Sequence, residues 1–161
     1  LTDIRGSGYN AYQSTVAVGS GEMSGKGVGY GTQSKLRLLP EYQTDFIFAA
    51  FAEEWGFAGV LIVLALFSIV IVRILMIAGR GADNFDTLFA AGLAIYFTAQ
   101  FIVHAGMNIG LLPITGTTLP FMSYGGSHLL TEYFALGILM GLRRNARPVA
   151  TRDNTELVGA M

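Results

Sequence analysis

Glu41 and Asp45 stand about one helical turn apart in "LPEYQTDF", residues 39–46, and the chain turns almost wholly apolar directly after them. A carboxylate at such a boundary can take a proton from a hydroxyl held at a membrane surface, which is general-base chemistry. It can equally be an acid at a helix start, where the macrodipole favours it by about 0.3–1 kcal/mol. Pro40 sets the approach and Thr44 is a candidate cap. Local physics alone therefore prefers the helix-start role for Asp45.

Other residues invite chemistry less strongly. "GSGEMSGKGVGYGTQSK" (19–35) has the glycines and lysine of a phosphate loop, but that motif needs G-x-x-x-x-G-K-[ST] between a strand and a helix. Here three residues separate Gly21 from Gly25, and Gly27 follows Lys26. Nucleotide binding is excluded. What remains is a glycine-rich loop whose N–H groups, Lys26 and Lys35 either approach an anionic headgroup or are simply solvated. Glu53 and Glu54 fall inside an apolar run, where ionisable groups are costly and pair with a cation or serve function. Gln100, His104 and Asn108 recur at i, i+4, i+8 on one helical face, with Tyr96 extending the row; interhelical hydrogen bonding is the preferred role. His128 and Glu132 are spaced as an i, i+4 pair. Ser123 in "SYGGS" lacks the G-x-S-x-G elbow and a base–acid pair, which argues against a serine hydrolase.

These residues need elements to hold them. Of 161 residues, 52% are hydrophobic and 13% charged, half the charge of an ordinary soluble domain, and mean hydropathy is +0.52. A net charge of −1 offers no basis for nucleic-acid binding. Without cysteine there is no disulfide, thiol nucleophile or thiolate-bound metal. The chain begins at Leu1 without the basic flank and apolar core of a signal peptide, so a C-terminal piece of a longer membrane protein is expected.

The expected organisation is all-α: a long extracytoplasmic loop over 1–45, a transmembrane helical bundle over 46–142 with spans near 46–77, 88–112 and 124–142, and a cytoplasmic tail over 143–161. "FAGVLIVLALFSIVIV" (57–72) carries no charge, and about 20 residues cross a bilayer core. Asp86 is the expected N-cap of the second span. "PITGTTLPFMSYGGS" (113–127) reads as a re-entrant break, irregular backbone that lipid tolerates only against protein or a wet cavity. Arg73, Arg80, Arg143, Arg144, Arg147 and Arg152 place the link and the C-terminus inside by the positive-inside rule.

Two long motifs, "GKGVGYGTQSKLRLLPEYQTDFIFAAFAEEWGFAG" and "GLLPITGTTLPFMSYGGS", closely resemble signatures of the shape, elongation, division and sporulation family. The resemblance runs from about Gly6 to Leu142. It implies a ten-helix membrane glycosyltransferase, of which this chain would supply the large outer loop and the last three helices. The implied activity is polymerisation of lipid II into peptidoglycan glycan strands, in the bacterial plasma membrane, alongside a class B penicillin-binding transpeptidase. "GTQSK…LLPE" and "PITG" look like the elongation branch; the division branch typically has a threonine–lysine pair where Ile114 and Thr115 stand. The family's essential aspartate maps onto Asp45, which moves that residue from helix start to catalysis. Lys26, Lys35, Arg37, Glu41, Thr44 and Ser123 are the implied substrate contacts. No protein metal site is expected, and a divalent cation is the alternative to the basic residues for neutralising the diphosphate.

The chain departs from the family pattern at Gln43, where histidine is usual, at His104, where asparagine is usual, at His128, where a small residue is usual, and at Thr117, where an aliphatic residue is commoner. The rival reading, from another class, is a lipid II flippase with a path lined by Gln100, His104, Asn108 and Glu132; a division-branch polymerase is the nearer alternative.

Overall fold

The computed structural model describes residues 7–31, 43–81 and 83–145. They form four helices: α1 (Ser7–Ser20), α2 (Ile47–Ala78), α3 (Asn84–Asn108) and α4 (Gly126–Asn145), with no strand among the described residues. The all-α expectation holds. The second and third helices make the central pair, α1 lies across the start of α2 and touches α3, and α4 packs on α3.

Helix α1 corrects the expectation that residues 1–45 are loop throughout. Its buried positions are Ser14 and Ala17, one small-residue stripe that lets two backbones approach closely. Ala17 packs with Phe46 and Ala49 at the start of α2, flanked by Val18 and Ile114. A stripe of serine and alanine leaves no apolar period to read.

Helix α2 is interrupted. Gly56 has φ 66 and ψ −168 inside it, which ends one helical segment and starts another. The break frees carbonyls before it and N–H groups after it, and the glycine-rich strap of residues 21–27 takes them up. Lys26 N donates to Glu53 O and Gly27 N to Glu54 O, both at 3.0 Å, while Phe57 N donates to Glu22 O at 2.9 Å and Ala58 N to Met23 O at 3.2 Å. Backbone at membrane depth must be satisfied within the protein, and the strap does this. The glycines are there for contact: a Cβ on Gly21 would lie 2.0 Å from Ala52 O, and one on Gly25 2.1 Å from Glu54 O.

After the break, residues 57–78 run about 33 Å at 1.5 Å per residue, close to the roughly 30 Å hydrocarbon core. Phe57, Leu61, Ile62, Leu64, Leu66, Ile69 and Val72 all point outward and are exposed. A helix so apolar on its open face belongs in lipid or against further membrane helices, and the chain is a membrane protein. Helices α2 and α3 are both long and apolar enough to cross. Where the third span is expected the chain forms α4, 20 residues long, but Ser127, His128, Thr131 and Glu132 keep its first turns polar, and it is not among the helices long and apolar enough to cross.

Boundaries differ in two places. Helix α3 begins at the cap residue Asp83 rather than Asp86, which falls in the first turn, and Asp83 makes no side-chain cap bond. The same helix ends at Asn108, not Leu112, because Gly110 turns the chain with φ 78. The core between α2, α3 and α4 is Ile74, Ala78, Ala90, Leu93, Ala94, Phe97 and Leu139. Phe121, from the 113–125 connection, closes it with its ring 5.1 Å from that of Phe97.

Candidate active site

Asp45 lies just before α2, whose N-cap is Phe46. The expected first-turn position and a Thr44 cap are both replaced: α2 has no acid in its first turn and no side-chain cap. What holds the acid in place is a set of bonds to three consecutive carbonyls. Tyr124 N donates to Gln43 O at 2.9 Å, Ser123 Oγ to Thr44 O at 2.8 Å, and Asn108 Nδ2 to Asp45 O at 3.1 Å. These donors come from two other parts of the chain, so the peptide carrying the acid is pinned on successive residues. The Asp45 side chain itself is half-buried.

Facing it is a turn in "PITGTT". Gly116 has φ 65, and a Cβ placed there would sit 3.6 Å from Asp45 Oδ2. A side chain at 116 would fill the space in front of the carboxylate; glycine keeps it clear and tolerates the left-handed conformation. The turn is held by α3: the His104 ring meets Thr117 O through Nδ1 at 2.7 Å. Because a carbonyl only accepts, Nδ1 carries the proton and Nε2 is left as an acceptor, buried with no partner among the described residues. Thr115 and Thr117 bring their hydroxyls within 3.4 Å of each other beside Met107.

A second network braces the far side of the 113–125 connection. Glu132, 2% exposed, accepts from Phe121 N at 3.1 Å through Oε2. Its Oε1 lies 3.1 Å from His128 Nδ1, the expected i, i+4 pair. Gln100 Nε2 reaches His128 Nε2 at 3.0 Å and donates to Tyr96 Oη at 3.1 Å. The bond from Glu132 fixes Phe121, whose φ of 63 is unusual for a residue with a side chain, two residues before Ser123.

The expected contacts divide accordingly. Asp45 and Thr44 are together on the pinned peptide. Ser123 joins them, but as a brace: it is 3% exposed, donates to Thr44 O and accepts from Leu119 N at 2.7 Å. That hydroxyl is engaged within the fold, which corrects its reading as a substrate contact. Lys26 is drawn to the break in α2, its Nζ 2.8 Å from Glu53 Oε1. Glu53 is fully buried while Lys26 is one-third exposed, so the pair answers the expectation that a membrane-segment glutamate finds a cation. The strap's N–H groups at Gly25, Lys26 and Gly27 are also used by protein carbonyls, which corrects the headgroup-cradle reading of this segment. Lys35, Arg37 and Glu41 lie outside the described residues. Sequence reasoning missed Gly116 and the reach of Asn108 to the acid; the row Gln100–His104–Asn108 signalled a polar face but not its target.

Three histidines, cysteines or carboxylates do not converge anywhere among the described residues, so no protein-held cation site is assigned.

Residues 1–148 match the cell cycle protein family of FtsW, RodA and SpoVE. Peptidoglycan glycosyltransferase MrdB of Escherichia coli is 44% identical over 146 residues, covering 91% of this chain and 40% of that protein. Stage V sporulation protein E of Bacillus subtilis is 43% identical over 145 residues, covering 90% and 39%. A probable peptidoglycan glycosyltransferase FtsW of Thioalkalivibrio is 44% identical over 151 residues, covering 92% and 38%. Among solved structures, a peptidoglycan synthase complex described as coordinating polymerization and crosslinking superposes with TM-score 0.68 at 31% identity, over 84% of this chain and 37% of that one. A rod shape determining protein RodA of Thermus thermophilus superposes with TM-score 0.63 at 37% identity, over 65% and 35%. The chain thus spans about two-fifths of the length of the curated relatives it matches.

Proposed function

Because the chain belongs to the FtsW, RodA and SpoVE family of cell cycle proteins, we propose that it carries the catalytic base of a peptidoglycan glycosyltransferase that polymerises lipid II during cell elongation. The observation that carries this is Asp45: one carboxylate on a triply pinned peptide, with the glycine of the opposite turn leaving room in front of it.

The chemistry is a displacement at an anomeric carbon. The C4 hydroxyl of one saccharide gives its proton to the Asp45 carboxylate as its oxygen attacks C1 of the other. The bond from C1 to the lipid diphosphate breaks, the electron pair leaves with the diphosphate, and the α linkage becomes β-1,4. A positioned base contributes about 10²–10⁴-fold; orientation and stabilisation of the leaving charge supply the rest. Lys35 and Arg37 are the proposed diphosphate partners, with Glu41 and Thr44 at the sugar. The one-third-exposed Lys26 reaches the same negative charge only at the expense of its bond to Glu53. A divalent cation would supply the same neutralisation of the leaving diphosphate.

The geometry is consistent with an outer-face site. Ile74 and Ala78 near the end of α2, Ala90 in the first turns of α3 and Leu139 late in α4 meet in one core, so the α2 end, with Arg80, shares a side with Arg143 and Arg144 in the last turn of α4. That side is cytoplasmic by the positive-inside rule, and Asp45 with the 113–125 connection lies at the other, where the sugars of a lipid-anchored substrate reside. The elongation role rests on "GTQSK…LLPE" and on Ile114–Thr115, since elongation and division relatives are equally similar. A class B penicillin-binding transpeptidase is the proposed partner, supported by the likeness to a complex that polymerises and crosslinks. The flippase reading is less favoured because each member of the polar row makes a bond within the fold: Gln100 to His128, His104 to Thr117, Asn108 to Asp45 and Glu132 to Phe121.

The test is Asp45→Asn in the full-length protein, reconstituted with lipid II. Glycan strands should be lost while the protein melts as wild type and any lipid translocation is unchanged. Near-normal strand synthesis would refute the assignment.

A further inference from the structure

Asn108 is fully buried, and its amide does two separate things. The Nδ2 group donates to Asp45 O at 3.1 Å and to His104 O, one turn back, at 2.8 Å. On its other side Ser14 of α1 donates to Asn108 O and lies 3.5 Å from Oδ1. His104 meanwhile holds Thr117 O beside the Gly116 turn. Two residues on one face of α3, one turn apart, therefore grip the two sides of the space in front of the carboxylate: the acid's own carbonyl and the turn opposite. On the same face Gln100 ends on a helix, at His128 of α4, as interhelical glue does, whereas His104 and Asn108 end on the two loops of the candidate site.

We propose that Asn108 is a positioning residue, whose amide sets the direction and distance of the Asp45 carboxylate relative to the Gly116 turn. This rests on Asp45 being the base. A buried amide is suited to the task because it is neutral, rigid at its end and able to donate and accept at once. Without its donor, the Asp45 peptide keeps its neighbours' anchors at Gln43 O and Thr44 O but is free to rotate its own carbonyl. Misplacement on the scale of an ångström is enough to lower turnover by one to two orders of magnitude.

The experiment uses the full-length protein with lipid II. In Asn108→Leu, similar in size but without the amide, kcat should fall about tenfold or more while KM stays within about twofold. Ser14→Ala, which removes the α1 contact to the same asparagine and touches neither loop, should lower the melting temperature yet leave kcat within about twofold. Should the leucine variant fail to fold, Asn108→Ala, which takes less room and also lacks the donor, is judged by the same kcat and KM criteria. Wild-type kcat in the folded Asn108 variant overturns the proposal, as does an equal kcat loss in Ser14→Ala, which would mark a general effect of stability. Asp45→Asn run in parallel separates the two claims. If it is inactive while Asn108 variants turn over normally, only the positioning role falls; if it is active, the base assignment falls first.

Discussion

Gly25 and Gly29 make a matched pair for testing how the strap holds the break in α2. Both have φ +77, so alanine at either incurs the same left-handed backbone cost, about 1–2 kcal/mol. At Gly29 that is the whole effect, because nothing lies within 4 Å of a new Cβ. At Gly25 the new atom would lie 2.1 Å from Glu54 O and 2.6 Å from the carbonyl carbons of Glu54 and Trp55. These are backbone atoms that cannot swing aside, so the strap must lift. Lifting forfeits the four bonds between Glu22–Gly27 and Glu53–Ala58, worth about 0.5–1.5 kcal/mol each, and leaves their partners unsatisfied. Gly25→Ala should then cost roughly 3 kcal/mol or more beyond Gly29→Ala, about a hundredfold in the folded-to-unfolded ratio. Reversible unfolding of both full-length variants in one detergent measures the difference. Equal losses would show that the strap does not bear on the break, and that its glycines serve chain conformation only.

Lys26→Met should leave Glu53 buried without its ammonium. Breaking a buried pair costs about 3–5 kcal/mol, and with Lys26 one-third exposed a loss of about 1–3 kcal/mol is expected, partly recovered by adding Glu53→Gln. Unfolding of the single and double variants checks this, and a double variant no better than the single would remove the pair from consideration. Phe97→Ala empties the junction of α2, α3 and α4 under Phe121 and should cost about 3–5 kcal/mol; a loss below about 1 kcal/mol, read from the same unfolding curves, would mean that this core is not well packed.

Much of the fold was legible because it is written in hydrophobicity. The charge-free run 57–72 and the polar link at 79–86 marked α2 and the turn into α3 to within a few residues. Helix α1 was hidden for the opposite reason: its buried stripe is Ser14 and Ala17, residues with little apolar area. The break at Gly56 could not be read because one glycine in an apolar run is common, and its justification lies some thirty residues upstream in a strap that composition describes as flexible. Asp45 was singled out from its motif, but its anchors are main-chain carbonyls, which every residue type carries alike. Only the donors have identities, and Asn108 read as packing and Ser123 as a substrate contact until the fold brought them to the acid's main chain.

The pinned peptide has a consequence for evolution at this position. With the main chain fastened at 43, 44 and 45, the carboxyl group can travel only by rotation about χ1 and χ2. Glutamate has the same charge on an arm one carbon longer, and a tethered backbone cannot retreat to absorb that length. The extra methylene would press toward the glycine opposite, so the shorter acid is specified by leverage.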